Sequence, residues 1–110
     1  MPTLDVKTLL NQMVEAAKTS LKDKWPAIRD LATSSFKNLA QTVVDIEEMQ
    51  LRGTITHEQA QLLLNMQKNN LKIALLTEEG LGLLAVEAAI NAVLDGIKNT
   101  VNTAIGFAIL

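Results

Sequence analysis

Apolar residues recur at alternating steps of four and three along most of this chain. Such spacing returns to one side of an α-helix every two turns, so it predicts helices that each bury one face. A half-buried β-strand would instead need alternation at every second residue. With 110 residues the chain has the length of one domain. We therefore predict that residues 1–110 form a single all-α domain, a four-helix bundle with heptad-like seams.

Composition narrows the possible core and the possible partners. Hydrophobic residues make up 48% of the chain and aromatic residues only 3%, so aliphatic side chains must supply the core. The absence of cysteine excludes a disulfide scaffold and a thiol nucleophile. The net charge is −2, and a duplex-binding protein would usually present a basic face. We therefore expect no nucleic-acid partner.

Breaks in the periodicity divide the chain into four helical segments. The first two meet at Trp25-Pro26, because proline disfavours helical geometry in the residue before it and suits the first turn of a new helix. We expect Trp25 to pack over this joint, although a ligand-stacking role is the alternative. The predicted helices cover about residues 3–24, 26–51, 57–77 and 81–104.

The second and third helices are predicted to form a central antiparallel hairpin, since only a short linker separates them. Gly53 suits a left-handed helix end, and Thr56 with Gln59 matches a capping box. Aligning the two apolar seams places Ser35 opposite Ala74. The same register places Thr42 opposite Gln67, and a buried polar group needs a partner. We predict that Thr42 and Gln67 form a buried hydrogen-bonded pair that fixes the register.

The fourth helix has the widest apolar surface. A stripe of large residues lies beside a stripe of small ones, and together they span roughly 220° of the helix circumference at 100° per residue. One neighbour cannot cover so wide an arc, and small residues let another backbone approach closely. We therefore predict that this helix also packs against copies of itself. The candidate interface residues are Gly82, Ala85, Ala89, Ala92, Gly96, Val86, Ile90, Val93, Ile97 and Phe107.

The junction before the fourth helix allows two interpretations. Thr77 could cap the new helix, with two glutamates in its first turn. Alternatively, the third helix continues to Glu79 and stops at Gly80.

No motif for catalysis, metal binding or cofactor binding emerges. His57 is the only histidine, so neither a histidine-rich metal site nor a serine nucleophile with a nearby base is indicated. Glu47 and Glu48 are adjacent, so on a helix their side chains point about 100° apart, and we expect them to lie on solvated faces. We therefore predict that the protein is not an enzyme and that it holds no cofactor or metal.

These features favour a structural or interaction protein, a self-associating bundle that acts as an assembly or adaptor subunit. Its expected partner is another copy of itself, with another protein as a further candidate. The alternative is a membrane-active protein that releases its apolar C-terminal helix into a bilayer. Because the first residues lack a basic and then apolar signal, we expect a cytoplasmic location.

Overall fold

The computed structural model describes residues 3–77 and 81–110, and every regular element in these two segments is helical. A single 3-10 turn, Lys22–Lys24, connects the first helix to the second. The prediction of an all-α fold is confirmed. The α-helices are α1 (Val6–Leu21), α2 (Trp25–Leu51), α3 (His57–Leu76) and α4 (Leu83–Ile105).

The start and end of α1 are set by local backbone chemistry. The Asp5 side chain accepts a hydrogen bond from the Thr8 amide at 3.0 Å, which satisfies a free donor of the first turn. The helix therefore begins three residues after the expected start at residue 3. It ends at Leu21 because Lys22 adopts a φ of +52°, which is incompatible with a continuing α-helix.

Trp25 lies in the core at the junction of α1 and α2. Its side chain is only 6% exposed, and its ring stacks on Phe36 with 6.4 Å between the ring centroids. Offset stacking of this kind adds to the stability gained from burial. The ring therefore packs over the joint and offers no open face to a ligand.

The hairpin between α2 and α3 is built as its sequence predicts. Gly53 takes a φ of +70° just after α2, a conformation that glycine adopts without a steric penalty. At the start of α3, the Gln59 amide donates to Thr56 Oγ1 and the Thr56 amide donates to Gln59 Oε1. Both the left-handed helix end and the capping box are confirmed.

The helices form a ring in which α1 packs against α2 and α4, and α3 packs against the same two helices. The α2 and α4 helices also touch across the bundle. The molecule measures 43 × 22 × 20 Å. Its core is aliphatic apart from Trp25 and Phe36, as the composition requires.

The chain itself covers most of the apolar arc of α4, through contacts with α1, α2 and α3. One neighbour does not cover this arc, but three helices of the same chain do, so five of the ten candidate interface residues are buried without a second copy. The buried five are Val86, Ala89, Ile90, Val93 and Ile97. Of the others, Ala85, Ala92 and Phe107 are half-buried, whereas Gly82 and Gly96 are exposed.

The small residues of α4 serve a contact within the chain. A Cβ atom placed on Gly96 would lie 3.3 Å from the Cβ of Ala16 and 3.6 Å from the carbonyl oxygen of Gln12. Glycine here therefore lets α4 approach the backbone of α1 closely. The close approach that the sequence predicts exists, but its partner is α1 of the same chain.

The described part of the junction between α3 and α4 contradicts the first of the two interpretations. Thr77 follows the last residue of α3, and its hydroxyl donates to the Ala74 carbonyl, so Thr77 does not cap α4. The residue at the N-cap of α4 is Gly82. The stop at Gly80 lies outside the described residues.

Candidate interaction surface

The exposed apolar side chains of the described residues are concentrated on α3. Eight large hydrophobic side chains are at least 36% exposed in residues 3–77 and 81–110. Five of them belong to α3, two to the first turn of α4 and one to the end of α2. In chain order they are Leu51, Leu62, Leu63, Met66, Ile73, Leu76, Leu83 and Leu84.

Four of these residues form one line along the outer side of α3. With Asn69 they repeat at steps of four, three, four and three residues, which keeps them on one side of the helix. We call this set the α3 stripe: Leu62, Met66, Asn69, Ile73 and Leu76. It lies opposite the side of α3 that faces the core, which carries Ala60, Leu64, Leu71 and Leu75.

The stripe is long enough to contact another helix over several turns. Leu62 and Ile73 are each 62% exposed, Met66 is 54% exposed and Leu76 is 40% exposed. At 1.5 Å per residue, the line from Leu62 to Leu76 is about 21 Å long. Single exposed leucines are common on protein surfaces, whereas a continuous apolar patch typically marks a contact surface.

Shallow depressions adjoin the stripe on its α2 side. One has a volume of about 330 Å³, and its lining includes Met49, Ile55, Leu62 and Leu63. A neighbouring depression of about 260 Å³ is lined by Met66 and by polar side chains of both helices. The apolar surface therefore continues from the stripe toward the α2–α3 loop.

Thr42 and Gln67 both line the second depression, but they do not form the predicted pair. Both residues are half-buried, and the Thr42 hydroxyl donates to the Asn38 carbonyl of its own helix at 3.0 Å. The prediction of a buried hydrogen-bonded pair is therefore wrong. A threonine can bond to the carbonyl four residues earlier, so it needs no partner across the hairpin. Ser35 and Ala74, which the predicted register also places opposite each other, line a common depression.

The expectation that Glu47 lies on a solvated face is wrong, because its carboxylate is buried near the end of α2. Glu47 is 2% exposed. Its Oε1 accepts hydrogen bonds from the backbone amides of Thr3 and Leu4 at 2.9 and 2.8 Å. Its Oε2 accepts a hydrogen bond from the Thr3 hydroxyl at 2.7 Å. Burial raises the pKa of Glu47, but the hydrogen bonds from Leu4 and Thr3 outweigh it, so this pKa lies below its ordinary value.

The position of Glu47 explains both its burial and its role. It follows Ala40 and Val43 on the same buried face of α2 at steps of three and four, where an apolar residue would be expected. A charged residue on an apolar seam is the signal that could have identified it. Both carboxylate oxygens hold the segment before α1, so Glu47 acts as an anchor. It also lines an open depression of about 720 Å³ together with Leu51, Thr100 and Thr103.

The C-terminal residues fold back onto the same end of the bundle. Phe107 stacks on His57 with 3.9 Å between the ring centroids. Asn102 Oδ1 accepts hydrogen bonds from the amides of Ile109 and Leu110. Ile109 is 3% exposed. The chain therefore buries Ile109 and covers Phe107 in part.

Neither a metal centre nor a membrane span is visible in residues 3–77 and 81–110. In these segments no three histidine, aspartate or glutamate side chains are grouped so that they could hold a metal ion. No helix there is long and apolar enough to cross a bilayer. The α3 stripe and its neighbours contain most of the exposed large apolar side chains in the described residues.

Comparison with known proteins finds no matching family model, no similar curated protein and no similar solved structure.

Proposed function

We propose that this chain is a non-enzymatic helical subunit that associates with other copies of itself through the α3 stripe. The observation that carries the proposal is the line of four large apolar side chains on the outer side of α3. The proposed contact surface therefore differs from the α4 residues that the sequence indicates.

A comparison between α1 and α3 supports this proposal. Each of these helices has two neighbours in the bundle, α2 and α4, so each has an outer face that the chain does not cover. On α1 that face is polar, with Lys7, Asn11 and Glu15 exposed. On α3 the corresponding face carries leucine, methionine and isoleucine. Folding does not require an apolar outer face on α3, whereas a binding surface on α3 would require one.

The energy available from the stripe suits a reversible complex. Complete burial of a leucine, isoleucine or methionine side chain contributes about 1.5–3 kcal/mol, and the four apolar stripe residues are still 40–62% exposed. Two copies would gain about 9 kcal/mol from their eight apolar side chains. Association costs about 4–15 kcal/mol, so at the lower end of this range about 5 kcal/mol remains, and we expect dimers with a dissociation constant of about 0.1–1 mM.

The experiment is multi-angle light scattering coupled to size exclusion, with loading concentrations up to about 1 mM. We expect the mass to rise from 12.0 kDa toward twice that value as the concentration increases. Ile73→Lys should weaken association about 30-fold or more, because it removes about 2–3 kcal/mol of apolar burial from two copies.

The matched control is Leu51→Lys, since Leu51 is also more than half exposed but lies outside the stripe. It should associate like the unmodified chain, and circular dichroism should show that both variants keep their helix content. A mass of 12.0 kDa at every concentration would refute self-association. An equal effect of both lysine substitutions would refute the role of the stripe.

A further inference from the structure

Asn69 interrupts the α3 stripe at its centre, between Met66 and Ile73. It lies seven residues from both ends of the stripe and is exposed, like its apolar neighbours. If the stripe is covered by another molecule, this amide becomes buried together with the apolar residues. A buried amide without a hydrogen-bond partner is unfavourable, so the partner must present a polar group at the same level.

A second copy of the chain meets this requirement in one orientation. In a parallel, in-register pair of helices with heptad spacing, each core residue packs against the same residue of the other copy. Asn69 would then face Asn69 of the second copy, and the two amides can bond to each other. In an antiparallel pair with interlocking side chains, Asn69 would instead fall against Met66 or Ile73 and would lose its partner.

We therefore propose that two copies pair through their α3 stripes in parallel and in register, about a two-fold axis that runs along α3. This inference rests on the proposed self-association and specifies its geometry. The four apolar positions then form self-matched layers on both sides of a central asparagine layer. Each stripe is covered completely by the stripe of the other copy. No apolar surface of the stripe is left for a third chain, so assembly stops at the dimer.

The charges beside the stripe are compatible with this pairing. In a parallel pair, each residue on one flank faces the residue five positions later on the other copy. Asn65 would thus face Asn70, and Lys72 would face Thr77. Neither of these pairs places like charges together. Lys72 already has an acidic neighbour in its own chain, since its Nζ lies 3.5 Å from Glu87 Oε1.

The expected contact area suits the reversible dimer described above. Two helices in contact over about 21 Å would bury about half of the 800 Å² that each partner contributes to a standard interface. The dimer should therefore be short-lived, and covalent capture is the appropriate way to determine its orientation. Because the chain contains no cysteine, each introduced thiol has only its own copy as a partner.

The test uses single-cysteine variants under mild oxidation, with covalent dimers quantified on non-reducing gels. Leu62→Cys and Leu76→Cys should each form covalent dimers with themselves. A mixture of the two, one of them carrying a mass tag, should form few mixed dimers. Lys98→Cys, at an exposed position of α4, should remain monomeric.

The opposite result, with abundant mixed dimers and few self-linked ones, would overturn the parallel geometry while leaving self-association intact. Asn69→Leu provides a second test, because the asparagine is the residue that selects the orientation. We expect this variant to dimerise at least 10-fold more tightly and to give mixed Leu62→Cys and Leu76→Cys dimers as well. If Asn69→Leu associates as weakly as the unmodified chain, Asn69 does not lie in the interface. A chain that remains monomeric in light scattering would refute both proposals together.

Discussion

The anchor formed by Glu47 allows the most quantitative test of the fold. Its carboxylate is almost fully buried, and three donors of the segment before α1 bond to it. Hydrogen bonds to a charged group contribute about 1.5–3 kcal/mol each, against about 0.5–1.5 kcal/mol for neutral pairs. Glu47→Gln keeps the shape of the side chain and removes the charge.

The expected cost of Glu47→Gln is about 2 kcal/mol at neutral pH. The amide oxygen can still accept from the two backbone amides, and the amide nitrogen can donate to Thr3 Oγ1, so the bonds persist in weaker form. A weakening of about 1 kcal/mol per bond is partly offset because a neutral amide is easier to bury than a carboxylate. In urea titrations the unfolding midpoint should fall by about 1–2 M.

The pH dependence of this difference follows from the lowered pKa of Glu47. A carboxyl group whose pKa is lower in the folded chain stabilises it at pH values above the unfolded pKa, and this contribution disappears as the pH falls through the folded pKa. The ordinary glutamate value is 4.5. The stability gap between the unmodified chain and Glu47→Gln should therefore be constant from about pH 7 to pH 5 and should narrow below about pH 4.5.

Glu15→Gln is the control, since Glu15 is exposed and its ion pair with Lys18 is long at 3.8 Å. We expect this variant to change the free energy of unfolding by less than about 0.5 kcal/mol at neutral pH. Hydrogen bonds from Thr8 also lower the pKa of Asp5, but Asp5 is present in every variant and its effect cancels. Equal stability of Glu47→Gln and the unmodified chain at pH 7, or a gap that persists to about pH 3, would refute the anchor.

Three further predictions concern positions where backbone geometry or packing is unusual. Lys22→Gly should raise the melting temperature by about 4 °C, because glycine adopts the φ of +52° and ψ of −115° without the strain of a side chain. An unchanged or lower melting temperature in calorimetry would contradict this prediction. Gly96→Leu should lower the free energy of unfolding by about 1–2 kcal/mol in urea titrations, since the new side chain meets Ala16; a gain in stability would mean that Gly96 faces solvent. Asn102→Ala should speed hydrogen exchange at the Ile109 amide without a comparable effect in the middle of α4, and unchanged protection would show that other contacts hold this segment.

The elements that could be predicted from sequence are those decided by neighbouring residues. The α2–α3 loop is one example, because a glycine with a positive φ and a threonine–glutamine capping box act over three or four residues. The end of α1 could not be predicted in this way. Nothing in the residue type of Lys22 indicates that its backbone would adopt a φ of +52°.

The parts that escaped prediction depend on contacts between residues far apart in the chain. Stacking of His57 on Phe107 joins positions fifty residues apart, and neither residue signals the other. Glu47 has a visible signal, since it is a charge on an apolar seam, but its partner segment lies more than forty residues earlier. The seam pattern predicts that Thr42 bonds to Gln67 across the hairpin, but its hydroxyl bonds to the Asn38 carbonyl of its own helix instead.

The location of the candidate interface shows what the apolar pattern alone leaves undetermined. The width of an apolar arc measures how much surface a helix must hide, whereas an interface depends on how much its neighbours leave uncovered. The α4 helix has the widest arc but packs against three helices, and Gly96 lets α1 approach especially closely. The α3 helix has fewer apolar residues but packs against two helices, so its outer line remains open. The surplus apolar surface therefore lies on α3, and a second chain that covers it needs to match Asn69 as well as the leucines around it.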